Sequence, residues 1–172
     1  MKILEYKKIE ASFNEWSPIY VEVAQQVIDY ISNEQFDVIH IGSTSFQVGG
    51  KGIIDLSILY KQGDLNAAIA HLLTLGFQNQ ISEAPFPPER PRKDGAVNLN
   101  EKKYIIHIHV IANGSNEHKK QLSYKNHMLN NPIARKEYEQ SKRAILANGI
   151  MEQEAYGKQK SPYVKSILKS IV

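Results

Sequence analysis

Two short runs in the first third of the chain alternate between the two faces of a β-strand. The run 38–41 places His40 opposite two isoleucines. The run 53–59 is rich in β-branched residues and places Asp55 and Ser57 opposite a face of isoleucine and leucine. A carboxylate in such a strand must be paired, bound to a ligand or placed at a cleft, because burying it alone is costly.

Elsewhere apolar residues recur at three- and four-residue steps, which predicts amphipathic helices laid on the sheet. Ser17 and Pro18 open the first helix, and Gly76 closes the second. The predicted helices are 16–31, 64–75, 118–130, 132–148 and 152 onward, with a break expected near Pro162; the predicted strands are 38–41, 53–59, 77–81, 97–100 and 104–111.

This order predicts an α+β fold in one domain, 1–172, with a core at about 16–112 and a helical C-terminal part at about 117–172. The chain has no cysteine, which excludes a disulfide scaffold and thiolate metal ligands. No run approaches the roughly 20 apolar residues that a membrane span needs. We therefore expect no membrane partner and a cytoplasmic location.

The formal net charge is +3, and many of the basic residues lie in the C-terminal helices. Pairs such as Lys142 and Arg143 are typical of a solvated helix surface, and a phosphate-binding wall is the alternative. The positive excess favours an anionic ligand over a cationic one. We do not expect nucleic acid as a partner, since basic and aromatic residues are not interleaved as they are in surfaces that stack on bases.

Small hydroxyl residues follow the first strand, where Gly42 precedes Ser43, Thr44 and Ser45. A glycine in this position lets backbone N–H groups approach an anion, so the segment predicts a phosphate cradle. A plain turn or a helix N-cap has the same composition. Lys51 follows among three glycines, on backbone that we expect to be mobile or of unusual conformation, and either reaches a bound phosphate or stays in solvent.

His107 and His109 lie two residues apart on the predicted strand 104–111, so their side chains point the same way. If the three strands are neighbours, both histidines converge with His40 and Asp55 on one open face of the sheet. Three histidines and one carboxylate form a credible ligand set for a metal. The alternatives are two hydrogen-bonded, half-buried histidines, an anion site or a general base.

The segment 84–95 carries four of the seven prolines, and we expect it to form a long irregular loop. It contributes Arg90 and Arg92, whose guanidinium groups match the geometry of phosphate. Arginines on loops are also typical of ordinary solvent-exposed surface. The segment is therefore a second candidate for phosphate binding.

The sequence HIGSTS at 40–45, followed by K-x-I-I-D at 51–55, closely resembles the GrpB family, or UPF0157, of the nucleotidyltransferase superfamily. The resemblance extends from the helix around Trp16 through the histidine pair to the C-terminal helices. It implies a mixed β-sheet with helices on one face and a site for a nucleotide or phosphate. Active members of the superfamily usually carry a second carboxylate two residues after the first, where this chain has Ser57.

Three functions are compatible with these patterns. The first is a nucleotidyltransferase in which Ser43 and Ser45 hold phosphate, Asp55 binds Mg²⁺ or Mn²⁺, and Lys51 neutralises charge on the leaving pyrophosphate. The second is a non-catalytic protein that binds a nucleotide or a phosphorylated small molecule. The third is a metal-binding protein or metal-dependent hydrolase that uses Asp55 and the histidine pair, which also suit Zn²⁺. The missing second carboxylate predicts slow or absent two-metal catalysis.

Overall fold

The computed structural model describes residues 1–10, 12–148 and 153–171, with a five-stranded sheet at its centre. The strands are β1 (Asp37–Ile41), β2 (Ile54–Tyr60), β3 (Gln78–Asn79), β4 (Arg92–Leu99) and β5 (Lys102–Ala112). The helices are α1 (Ile19–Ile31), α2 (Leu65–Thr74), α3 (Asn116–Asn130), α4 (Pro132–Ala147) and α5 (Gln153–Ile171), with a 3₁₀ turn at Ser43–Phe46. In the order β1–β2–β5–β4–β3, β2 and β5 are parallel and the other neighbours antiparallel. The predicted α+β class is confirmed.

The helices α1 and α2 cover one face of the sheet, as predicted. Their apolar stripes meet the apolar side chains of the central strands, and removal of this surface from water drives the packing. The fully buried members include Val27, Ile31, Leu72, Leu56, Ile58, Ile106 and Ile108.

The helices α3, α4 and α5 pack on one another and approach the opposite face of the sheet. Ser57 on β2 donates a hydrogen bond to Gln121 Oε1 on α3 at 2.8 Å. A second apolar cluster, which includes Phe46 and Tyr138, joins these helices to the 3₁₀ turn. The C-terminal helices therefore form one wall of a cleft above this face. No helix in the described part of the chain is long and apolar enough to cross a membrane.

The predicted extent of the loop 84–95 and the predicted break near Pro162 are wrong. β4 begins at Arg92, inside the expected loop 84–95, because Arg92 and Asp94 pair with β5 in a ladder that their polar sequence does not signal. α5 continues through Pro162, although a proline removes one backbone donor from a helix. Tyr163 and Val164, directly after the proline, pack against the second apolar cluster and hold this part of the helix.

Candidate functional site

A cavity of about 890 Å³ lies between the polar face of the sheet and the C-terminal helices. Among the described residues that border it, seven are basic and three are acidic, whereas the whole chain has 21 basic and 18 acidic residues. The basic residues are Lys8, Lys51, Arg90, Arg92, Lys142, Lys158 and Lys160, and the acidic ones are Asp55, Glu83 and Glu117. The cavity wall thus concentrates positive charge that the composition does not reveal.

Asp55 lies on the floor of the cavity beside both histidines of β5. In the parallel ladder Asp55 pairs with His107, and its Oδ1 is 3.6 Å from His107 Nδ1 and 3.6 Å from His109 Nε2. The predicted juxtaposition of these three side chains is confirmed. Burial alone would raise the pKa of Asp55, but interactions with the two imidazoles outweigh it and hold this pKa well below its usual range. Asp55 is therefore a carboxylate at neutral pH.

Asp94 is a second carboxylate at this site, and the sequence analysis missed it. It pairs with His107 across the antiparallel ladder, is fully buried, and its Oδ1 lies 3.9 Å from His107 Nε2. Arg92 holds Asp94 through two hydrogen bonds, Nε to Oδ1 at 2.7 Å and Nη2 to Oδ2 at 2.8 Å. The alternation of Arg92 and Asp94 with Lys93 between them was the available signal, but the expected proline-rich loop concealed it.

His107 therefore lies between two carboxylates. Its Nε2 is buried, and no hydrogen-bond partner for that atom exists among the residues that the structure describes. Burial lowers the pKa of His107, and the nearby Asp55 opposes that change only in part. The neutral imidazole is thus the favoured form near pH 7.

His40 does not join this group, so the expected cluster of three histidines is wrong. His40 pairs with Leu56 across the antiparallel ladder, and paired residues project to the same face, which here is the face packed by α1. Its Nε2 lies 2.9 Å from Thr44 Oγ1. Burial, with the nearby ammonium group of Lys125, lowers the pKa of His40 to about 4. The side chain of His40 therefore contacts the 3₁₀ turn through Thr44 and does not reach the cavity.

Fewer hydroxyl groups of the candidate phosphate cradle reach the cavity than the sequence suggests. Thr44 is buried against His40, and Ser45 Oγ donates a hydrogen bond to the Gly42 carbonyl oxygen at 2.7 Å. Of the three hydroxyl residues, Ser43 is the one that borders the cavity. Gly42 is required here, because its φ is +72° and a Cβ would lie 2.8 Å from Asp55 Oδ2.

Hydrogen bonds hold the backbone that carries Lys51, and Gly52 has a φ of +75°, so of the two predicted alternatives the structure shows unusual backbone and not mobile backbone. Gly49 N–H donates to Glu139 Oε1 at 2.9 Å, and Lys142 Nζ donates to the Gly49 carbonyl oxygen at 3.2 Å. Gly50 exchanges two backbone hydrogen bonds with the N-terminal segment, at 2.6 and 3.0 Å. The glycines permit these close approaches, and Lys51 borders the cavity from a fixed loop.

Arg90 and Arg92 border the cavity on the side of the segment 80–90. Phe86 packs edge-on against His109 with ring centroids 5.1 Å apart, and the guanidinium carbons of both arginines lie within 6 Å of the Phe86 ring centroid. Arg92 uses two of its five N–H donors on Asp94. Among the described residues, Asp94 is the hydrogen-bond acceptor of this guanidinium group, which has three further N–H groups.

Lys142 is the second residue that the sequence analysis missed, since it was assigned to a solvated helix surface. It lies on α4, is 2% exposed and borders the cavity. Its Nζ lies 4.3 Å from the centroid of the Tyr138 ring. Lys142 follows Tyr138 by four residues and precedes Ile145 by three, so the helical spacing places it within the buried stripe.

The donor set does not fit the divalent metal that the sequence patterns favoured. Ser57 stands where a second carboxylate would be needed, and it is fully buried with its hydroxyl group directed to Gln121. Asp94 is occupied by Arg92, and His40 lies on the opposite face. In the described part of the chain no group of three or more His, Cys, Asp or Glu side chains is arranged to hold a metal ion.

Comparison with known proteins gives consistent matches. A family model described as GrpB protein matches residues 8–170. A UPF0157 protein of Halalkalibacterium halodurans is 24% identical over 156 residues, which cover 90% of this chain and 76% of the relative.

Among solved structures, the Cid1 poly(U) polymerase with Mg 3'-dATP bound matches with a TM-score of 0.50 and 11% identity, over 73% of this chain and 41% of that chain. A polymerase beta of Leishmania infantum has a TM-score of 0.41 and 13% identity, over 72% of this chain and 50% of that chain. This chain spans less than half the length of the poly(U) polymerase. The likeness to that polymerase shows a nucleotidyltransferase-like fold.

Proposed function

Since the chain belongs to the GrpB family and its cavity is bordered mainly by cations, we propose that it binds a nucleotide or a phosphorylated small molecule through the phosphate groups. The observation that carries the proposal is the ratio of seven basic to three acidic residues among the described residues of the cavity wall. Charges gathered in a cleft raise the local concentration of an oppositely charged ligand.

Each group has a chemical task in this proposal. The Ser43 hydroxyl group, at the first residue of the 3₁₀ turn, donates to a phosphate oxygen. Lys51 supplies positive charge from the glycine loop. Arg92 offers the donors that Asp94 does not use, in the planar arrangement that suits phosphate. Asp55 repels phosphate, so it marks the part of the floor that the anion avoids.

Transfer of a nucleotidyl group with a divalent metal is the finer hypothesis, and the donor set argues against the ordinary two-metal route. Mg²⁺ favours carboxylate, phosphate and water oxygens, and Asp55 is the one strand carboxylate among the described residues that border the cavity. The third hypothesis, a hydrolase built on His40, His107, His109 and Asp55, loses His40 to the opposite face. Binding without rapid metal-dependent transfer is therefore the function that we propose.

Calorimetry tests the binding proposal with pyrophosphate and ATP as probes. We expect the double variant Ser43→Ala/Lys51→Ala to bind at least about tenfold more weakly, because it lacks two donors to phosphate. The matched control is Lys61→Ala, an exposed lysine beyond β2 that does not border the cavity. The proposal fails if the wild type binds neither probe at millimolar concentration, or if the double variant binds as the control does.

Removal of metal separates binding from catalysis. We expect pyrophosphate affinity to persist in EDTA, because side chains supply the positive charge. With Mg²⁺ and a nucleoside triphosphate, we expect release of pyrophosphate far below about 1 per second, the lower end of ordinary turnover. Turnover at or above that rate in the wild type would contradict the assignment of a non-catalytic function.

A further inference from the structure

Lys142 reaches the cavity as a buried amine with few hydrogen-bond partners among the described residues. An ammonium group has three N–H donors, and the Gly49 carbonyl oxygen is its one hydrogen-bond acceptor within the described residues, at 3.2 Å. No carboxylate of the described chain lies within ion-pair distance of it. A buried ammonium group supported by one carbonyl and the face of Tyr138 is costly to keep charged.

The loop opposite Lys142 is shaped to admit its ammonium group. A Cβ at Gly50 would lie 2.8 Å from Lys142 Nζ, so any other residue at position 50 would displace it. The same ammonium group holds the loop that carries Lys51. Lys142 therefore lies where α4 contacts the glycine loop, and its amino group borders the cavity.

We propose that Lys142 binds a phosphate oxygen of the ligand directly and that the ligand enters the cavity together with a proton for this residue. The inference rests on the proposed function, to which it adds one phosphate-binding residue and the coupling of ligand binding to proton uptake. A phosphate oxygen supplies a negative acceptor, which none of the described residues gives to Lys142. Charge-assisted hydrogen bonds of this kind are stronger than neutral ones.

The charges that face Lys142 explain the coupling to protons. Burial lowers the pKa of Lys142 well below its usual range, and the ammonium groups of Lys160 on α5 and Lys51 on the loop act in the same direction. Asp55 on β2 and Glu139 on α4 oppose this change only in part. An anion at Nζ would act in the opposite direction and raise the pKa of Lys142, so ligand binding favours the protonated form of this residue.

Calorimetry with inorganic pyrophosphate in two buffers of different ionisation enthalpy, between pH 7 and pH 9, measures both the affinity and the number of protons taken up. We expect wild-type affinity to fall as pH rises, by up to about tenfold per pH unit. Lys142→Met, which keeps the length of the side chain, is expected to bind at least about tenfold more weakly. It should also lose the pH-dependent proton uptake that exceeds that of the ligand itself.

The matched control is Lys136→Met, an exposed lysine on the same helix, which is expected to bind as the wild type does. Lys142→Arg keeps the charge at every pH, so it is expected to retain affinity and lose the proton uptake. This variant also tests the proposal if Lys142→Met shows no cooperative unfolding transition.

The outcomes separate this inference from the function on which it rests. If the wild type binds no pyrophosphate, both fail. If the wild type binds and Ser43→Ala/Lys51→Ala weakens binding, but Lys142→Met binds as Lys136→Met does, the inference about Lys142 alone is overturned. Equal proton uptake by the wild type and by Lys142→Arg overturns it as well.

Discussion

The two faces of the central strands differ in almost every physical respect, although they share one backbone. On the face covered by α1 and α2, Leu56 and Ile106 are fully removed from water and touch other apolar side chains. The adjacent residues on the two strands, Asp55 before Leu56 and His107 after Ile106, border the cavity and depend on charge and hydrogen bonding. The apolar face fixes the register of the strands, because a slip by one residue would carry Asp55 into the core.

The comparison shows that the cavity face is not simply the solvated side of the sheet. Asp94 is fully buried and held by Arg92, and Ser57 is fully buried and bound to Gln121. These polar groups are fixed by specific partners, whereas the apolar side chains are held by contacts that have no direction. Substitutions on the two faces should therefore differ both in their cost and in their effect on the ligand.

The largest expected effect is on the apolar face. Leu56→Ala should lower the free energy of unfolding by about 3–5 kcal/mol, because it removes a fully buried side chain and leaves a void. Pyrophosphate affinity should change little at a temperature where the variant is folded. Urea denaturation measures the cost, with Leu73→Ala on the exposed surface of α2 as control. An equal loss of unfolding free energy in Leu56→Ala and Leu73→Ala would contradict the assignment of Leu56 to the buried apolar face.

The buried ion pair of the cavity face comes next. Asp94→Asn should lower the free energy of unfolding by about 3 kcal/mol, because Arg92 then keeps its charge without a counter-ion. Glu15→Gln is the control, since its ion pair with Arg143 is exposed and should contribute less than about 1 kcal/mol. If Asp94→Asn lowers the free energy of unfolding no more than Glu15→Gln does, the buried ion pair does not stabilise the polar face as proposed.

Acid should weaken the protein through its histidines. The folded-state pKa of His40 is about 4 and that of His107 is lowered, so between about pH 6.5 and pH 4 the unfolded chain binds more protons than the folded one. His40 alone should therefore lower the free energy of unfolding by roughly 1–2 kcal/mol from pH 7 to pH 5, and His107 acts in the same direction. Melting temperatures across this range measure the effect, and His40→Gln should flatten the curve. A melting temperature that rises on acidification would reverse the assigned sign.

The smallest effect is expected at Ser57. Ser57→Ala should cost about 1 kcal/mol of unfolding free energy, because it removes the hydrogen bond to Gln121. Pyrophosphate affinity should be unchanged, since Ser57 is fully buried and directs its hydroxyl group to α3 rather than to the cavity. A clear loss of affinity in calorimetry would mean that Ser57 takes part in the site.

The sequence by itself determined much of this protein. A period of two residues placed Asp55, His107 and His109 on the polar faces of their strands, and the structure brings the three together. A period of 3.6 residues predicted the helices that cover the apolar face. These predictions hold because side-chain direction within one strand or helix is a local property of the backbone.

The tertiary structure alone decided which elements meet at the cavity. Alternation gave β1 two faces but did not say which one α1 would cover, so His40 was assigned to the wrong side. Asp94 became part of the site through pairing with β5, and Lys142 through packing of α4 on the glycine loop. Each of these placements depends on hydrogen bonds or packing contacts between residues far apart in the chain. Local periodicity cannot predict such contacts, because it reflects only the residues within one strand or helix.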